Sequence, residues 1–388
     1  MHRLPLPALL LPILLPAAAI HRWLWPYSGT DVGTFLLPWF RHIQATGPIG
    51  AFAEPFGNYA PPYLYLMAAT TPLADSVHPV DLIKALSVAG TFALAAATWH
   101  LVRTLAPDAP DTRSRALVAA ALVPLVPSTA INAVLMGQCD AMWAAPCLMA
   151  LAAAVRRRHT AMLLWCGIAL GFKLQAAFFG PFILALLIQR RVPFVTWLAA
   201  PAAWLATLLP AWLAGWPASD LLTIYFQQAN TLDGIALSSP NIWMIVDTLP
   251  ALRDLPLTGL ALAAAVGTTG AYVAWFSVRR LAGRRLAEVA LLAPLIVAGL
   301  LPRMHERYFF LADLIALAIA LVWPDRRSIG IALLVQAGSL LALLAYLSGY
   351  AVLAVIGAVP MMLATWRLAR PLLRRPANDN PPVRAALA

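Results

Sequence analysis

Long apolar blocks separated by short polar clusters run the length of this chain. The blocks fall at about residues 4–21, 80–103, 115–133, 139–155, 160–173, 175–189, 193–214, 256–278, 286–301, 308–323, 328–347 and 350–368. An α-helix crosses a bilayer with ~20 apolar residues. The pattern therefore predicts an all-α, polytopic transmembrane helical bundle of about 12 spans, with both termini on one side. Blocks 160–173 and 175–189 are short for full spans. They are expected to form a hairpin whose tip, Lys173-Leu174-Gln175, stops inside the membrane or at its face. The stretch YAPPYLYLMAATTPLA at 59–74 is too short and proline-rich for a span. It is expected as an interfacial helix with Tyr59, Tyr63 and Tyr65 at headgroup level. An amphipathic helix, FLLPWFRHI, is expected just before it in the same loop.

Charge turns this pattern into a topology. The chain is 62% hydrophobic and 11% charged, with a mean hydropathy of +0.78, whereas soluble domains carry ~25% charged residues. The net charge of +11 does not point to nucleic acid, because the basic residues sit in short clusters between apolar blocks. With the N-terminus inside, twenty arginines fall on the inner side and five, Arg22, Arg41, Arg253, Arg303 and Arg307, on the outer side. That asymmetry sets the expected orientation, with both termini cytoplasmic. Residues 1–370 are expected to form one transmembrane domain. Residues 371–388 are expected as a disordered cytoplasmic tail, being polar and proline-rich. The N-terminal block is expected as a retained helix rather than a cleaved signal. The three cysteines show no metal or disulfide spacing and are expected to pack as small apolar residues.

The polar residues that interrupt this pattern carry the candidate chemistry. Asp31, in SGTDVGTF, is either a solvated or capping acid or a general base facing a cleft. Tyr59, beside Asn58 and a proline pair, is a candidate lining residue. Gln138 and Asp140 open a span in GQCDAMW, where an acid is costly unless it faces water, a cavity or a partner. Lys173 and Gln175 stand at the hairpin tip in GFKLQAAFFGP. Lys173 is read equally as an anion ligand or the partner of an acid. In PRMHERYFF, interfacial anchoring explains Arg303, Arg307 and Tyr308 but not His305 and Glu306. A histidine with two arginines at headgroup depth suits a phosphate, and Glu306 is placed to orient His305 or an arginine. Gln227, Gln228, Asn230, Asn241 and Trp243, in the second long outer loop, are weaker candidates for hydroxylated ligands. No metal-binding DxD is evident.

Together, GTDVGTF, NYAPPYLYL, GQCDAMW, GFKLQAAFFGP and MHERYFF, in this order across nearly the whole chain, resemble the GT-C superfamily of polyprenyl-phosphate-sugar-dependent glycosyltransferases. The nearest likeness is to family 87-like bacterial mannosyltransferases. The resemblance implies a GT-C-like bundle and transfer of a hexose, mannose-like, from a polyprenyl-phosphate sugar to a periplasmic lipid or glycan acceptor with inversion. It implies no cofactor or metal, no nucleic acid, and a bacterial inner-membrane location among membrane lipids. By position, Asp31 would take the acceptor proton. His305 and Arg307, helped by Lys173, would hold the donor phosphate. Tyr59, Gln138, Asp140, Gln175 and Glu306 would contact substrate or support those that do. A lipid transporter or flippase, using the same charges as a substrate pathway, is the alternative. The enzyme reading requires Asp31 and His305, some 270 residues apart, to face one pocket.

Overall fold

The computed structural model describes residues 6–107, 109–229, 234–252 and 255–374. Residues 375–388, Arg3, Asn230 and Arg253, and the side chains of Gln227 and Gln228, lie outside the described residues. The last helix, Ala351–Leu373, runs past residue 370.

Each of the twelve apolar blocks coincides with a helical run. Among the described residues, five helices are long and apolar enough to cross a membrane: Pro79–Leu105, Phe194–Ala214, Leu257–Ser277, Arg326–Ser348 and Ala351–Leu373. A sixth counts if Thr112–Leu125 and Pro127–Leu135, which meet at a 51° bend, form one span. The chain is thus a helical membrane protein. Pro127 lacks an N–H and disfavours helix at the residue before it, so the bend follows from sequence.

Enclosure explains why some blocks give short helices. Asp140–Val155 is buried on nearly every side, between Pro79–Leu105 and His159–Phe172. A helix apolar all round belongs inside a bundle, and this one is the centre of the core. His159–Phe172 in turn packs on Ala199–Ala214. Gly167 and Gly171 lie one turn apart on that seam. A Cβ at Gly167 would collide with the Ala200 carbonyl, and one at Gly171 with the Thr207 side chain. Close backbone approach through small residues is how helices associate in lipid.

Among the described residues the only named strands are two residues each. Ala236–Leu237 pairs in parallel with Met304–His305, and the Arg303 N–H donates to the Ile235 carbonyl at 2.8 Å. The second outer loop therefore clamps the turn that carries His305. Asn241 and Trp243 belong to the same clamp. The Asn241 carbonyl oxygen accepts from the N–H groups of Trp243 and Met244, and Trp243 Nε1 donates to the Leu300 carbonyl at 2.6 Å.

At the opposite end, Asp325 caps Arg326–Ser348, accepting from the N–H groups of Arg327 and Ser328 at 3.0 Å each. It also pairs with Arg284, which binds Glu288 at 2.8 Å, and Arg327 joins Glu288 at 2.6 Å. The Arg284 bond, with the capping amides, lowers the Asp325 pKa from 3.8 to about 2. A depressed carboxyl stabilises the fold fully above its unfolded value and loses that contribution as pH falls through its folded value. Asp325→Ala should cost about 1 kcal/mol at neutral pH through the lost cap. The difference in thermal midpoint from wild type, measured in detergent, should shrink as pH drops from 3.8 toward 2. A difference that grew over that window would contradict this account.

Candidate active site

Every charged group of the candidate site sits at a break in regular helix. Asp31 precedes Val32–Leu36, a stretch with π-helical bonding that continues into Leu37–Thr46. The Gly29 N–H donates to the Leu135 carbonyl at 2.8 Å, which ties this loop to the bent pair. Gln138 and Asp140 follow Gly137, whose left-handed backbone (φ +60) is one that glycine adopts without strain. Ile83, Val32 and Leu36 crowd the space a Cβ would enter there. Lys173 is an extended residue between the helix His159–Phe172 and the 3-10 turns of Leu174–Phe179. His305, Glu306 and Arg307 follow the left-handed Arg303 (φ 59). Irregular backbone at membrane depth is tolerated where it is buried in protein or lines a cavity.

These breaks converge on one cavity of about 710 Å³. Asp31, Tyr59, Gln138, Lys173, Gln175, His305 and Arg307 line it, with Asn58, Trp39, Phe178, Arg303 and Tyr308. Asp140 and Glu306 do not line it. They stand behind the wall, 1% and 0% exposed, and bind the cations that do.

The polar network is continuous. Asp31 Oδ2 accepts from Gln138 Nε2 at 2.9 Å and lies 3.1 Å from Arg307 Nη2. Asp31 Oδ1 accepts from the Tyr346 hydroxyl at 3.1 Å. The Gln138 carbonyl oxygen accepts from Tyr59 Oη at 2.7 Å. Lys173 Nζ donates to Asp140 Oδ1 at 2.8 Å and lies 5.1 Å over the Tyr59 ring. Asp140 is further held by Trp143 Nε1 at 2.7 Å and Asn132 Nδ2 at 2.6 Å. Arg307 Nη1 donates to Glu306, and its Nε lies 3.7 Å from Asp140. His305 Nδ1 is 3.6 Å from Glu306.

Electrostatics outside the helices follow from these contacts. Burial would raise the Glu306 pKa, but the Arg307 charge and His305 outweigh it and hold the carboxyl below 4.5. Burial would weaken Arg307 as a cation, and the surrounding acids, Glu306 foremost, reverse this and hold its pKa well above the ordinary value. Burial pushes the Tyr59 hydroxyl up to about 12, against the pull of Lys173 and Arg307. Tyr59 therefore works as a neutral donor.

Several expectations change in detail. Lys173 pairs with an acid, one of its two open readings. Arg307 is engaged by Asp31 and Glu306 rather than standing free for a phosphate. Pro61–Thr70 is a helix, but Tyr59 and Tyr63 are buried in protein rather than displayed in a belt, and Tyr65 Oη accepts from the Ala211 N–H. Both prolines open this helix, where their missing donors cost nothing. Tyr346, Asn132 and Trp143 escaped the sequence reading because each lies within or beside an apolar run. Their signal was a hydrogen-bonding side chain near the end of such a run.

No protein-family model matches the chain, and no curated protein matches it.

Because Lys173 and Asp140 are both buried, breaking their pair leaves Asp140 with only the longer cationic contact to Arg307 at 3.7 Å. Lys173→Met should destabilise by about 3–5 kcal/mol. Lys173→Met with Asp140→Asn should recover most of that, since no charge is stranded. Thermal midpoints of the two singles and the double in detergent form the cycle. A double variant no more stable than Lys173→Met would show that the pair carries no such coupling.

Proposed function

We propose that this protein is a GT-C-like membrane glycosyltransferase. It moves a hexose, mannose-like, from a polyprenyl-phosphate sugar to a periplasmic lipid or glycan acceptor, with inversion at the anomeric carbon. On this reading the twelve helical runs are spans or re-entrant segments of a bacterial inner-membrane protein. Its termini are cytoplasmic and its cavity faces outward. One observation carries the reading: Asp31 and the His305–Arg307 turn, from opposite ends of the chain, wall a single cavity. At about 710 Å³ it lies within the ~300–1,000 Å³ range of small-molecule sites.

The chemistry assigns each group a task. The acceptor hydroxyl oxygen forms its bond to the anomeric carbon as the bond from that carbon to the phosphate oxygen breaks. The polyprenyl phosphate leaves with the electron pair, and Asp31 takes the acceptor proton. Gln138 and Tyr346 fix the carboxylate at the cavity wall. His305 and Arg307 stabilise the negative charge that grows on the leaving phosphate. Lys173 adds its field from the wall while bonded to Asp140. Glu306 keeps Arg307 in place. Tyr59 and Gln175 offer hydrogen bonds to sugar hydroxyls. Base and leaving group stand on opposite sides of the carbon, which gives inversion.

Purified protein supplied with labelled polyprenyl-monophosphate sugars should transfer label to a lipid or glycan acceptor. Asp31→Asn should lower the rate at least ~100-fold, the scale of a lost general base. His305→Ala should reduce it by a similar factor, with protein insertion intact. Movement of lipid across the bilayer without sugar consumption would favour the transporter instead. Wild-type turnover in Asp31→Asn would remove the base from the scheme.

A further inference from the structure

The helix that begins at Asp140 ends in Arg156, Arg157 and Arg158, sixteen residues on, or ~24 Å at the rise of an α-helix. A second arginine pair, Arg190 and Arg191, ends Gly180–Gln189. The two turns touch. Arg190 Nη1 donates to the Ala154 carbonyl at 2.7 Å and lies 3.4 Å from His159 Nε2. Between Asp140 and Asp220 the chain contains no aspartate or glutamate. Among the described residues, no ion pair reaches any of these five arginines. Burial and the adjacent Arg157 charge both pull the Arg190 pKa down. Arg157 and Arg191 hold left-handed backbone, φ 57 and 50, where glycine is the ordinary choice. The corner is therefore crowded with positive charge that no ion pair among the described residues offsets.

A recess of about 470 Å³ opens at this corner, and Arg157, Arg158, His159, Thr160 and Thr196 are among its lining residues. It abuts the start of Phe194–Ala214, a helix apolar enough to span the membrane and only 11% buried along its most apolar window. Phe194, Val195 and Leu198 there are 75%, 73% and 58% exposed. A cationic hollow thus continues directly into a bare apolar helix face. A soluble anion would match the first feature alone. A lipid with an anionic head and acyl chains matches both, and basic pockets beside membrane helices are suited to such heads.

We propose that this corner binds a phospholipid of net negative charge, its phosphate against Arg157 and Arg158 and its chains along Phe194, Val195 and Leu198. The site lies at the end of Asp140–Val155 opposite the candidate active site and stands whether or not the glycosyltransferase reading does.

Native mass spectrometry of the full-length protein, titrated with dioleoylphosphatidylglycerol or dioleoylphosphatidylcholine, tests it. The wild type should prefer the anionic lipid by about tenfold or more, and Arg157→Gln with Arg158→Gln should weaken that lipid by about thirtyfold, roughly fivefold per charge. Binding of the zwitterionic lipid should not change. Both arginines are exposed, so the substitutions spare the core. Arg326→Gln, an exposed arginine elsewhere, should leave the preference intact, and glycerol phosphate at equal concentration should not compete. Three results would each overturn the proposal. An unchanged double variant would place the lipid elsewhere. An equal loss in Arg326→Gln would reduce the preference to diffuse surface charge. Displacement by glycerol phosphate would make the recess a soluble-anion pocket.

Discussion

The contact between buried Arg307 and half-buried Asp31 is the constraint around which the molecule closes. A charge removed from water costs several kcal/mol unless a counter-charge and hydrogen bonds meet it. Arg307 is 9% exposed, and Asp31 and Glu306 are its nearest acids, at 3.1 and 2.5 Å. Asp140 lies 3.7 Å from it and is itself balanced by Lys173. Gln138 joins the two halves, donating to Asp31 and accepting from Tyr59. Five separate stretches of chain, around residues 31, 59, 138–140, 173 and 305–307, are satisfied only when assembled together. The Arg326–Ser348 helix adds Tyr346 to the same node. The electrostatic cost of leaving any member alone is what brings the first outer loop to the last third of the chain.

That network also explains where regular helix stops. A continuous helix satisfies its own backbone but limits where a side chain can point. The π-bonded stretch after Asp31, the left-handed Gly137, the extended Lys173 and the left-handed Arg303 each release a side chain toward the centre. The backbone groups freed at these breaks find new partners. The Gln138 N–H donates to the Asn132 carbonyl at 3.0 Å, and the Arg303 N–H to Ile235. Strain and irregularity thus collect on the cavity wall, where they position functional groups.

How much of this was legible in the chain follows from the same physics. Charged residues inside apolar surroundings are costly, so Asp31, Asp140, Lys173 and the His305–Arg307 cluster stood out individually. The twelve apolar blocks did so too, and each became helix. Partnership was not legible. Nothing local says that Lys173 meets Asp140 or that Arg307 meets Asp31, because those choices are made by packing between distant segments. Nor could block length separate a lipid-facing span from an enclosed helix. Asp140–Val155 and Phe194–Ala214 are both apolar throughout, yet the first is core and the second is largely bare. Tyr63 reads as a belt residue by composition, and is instead fully buried, with its hydroxyl 3.3 Å from the Gly137 carbonyl.

Seen as charge alone, the two ends of Asp140–Val155 are opposites. At one end three acids, Asp31, Asp140 and Glu306, meet Lys173 and Arg307, with His305 and Arg303 at the cavity wall. At the other, five arginines form no ion pair among the described residues. A phosphate group offers the first end something different from the second. At the cavity it must compete with Asp31 for Arg307, so on the proposed reading donor entry loosens Asp31 from its cation. The carboxylate is then released to bond the acceptor hydroxyl when the leaving group is in place. Sharing one guanidinium between base and phosphate would couple activation of the acceptor to arrival of the donor. That gives a physical reason for placing the cation between them, where a free phosphate clamp would need no contact with Asp31 at all.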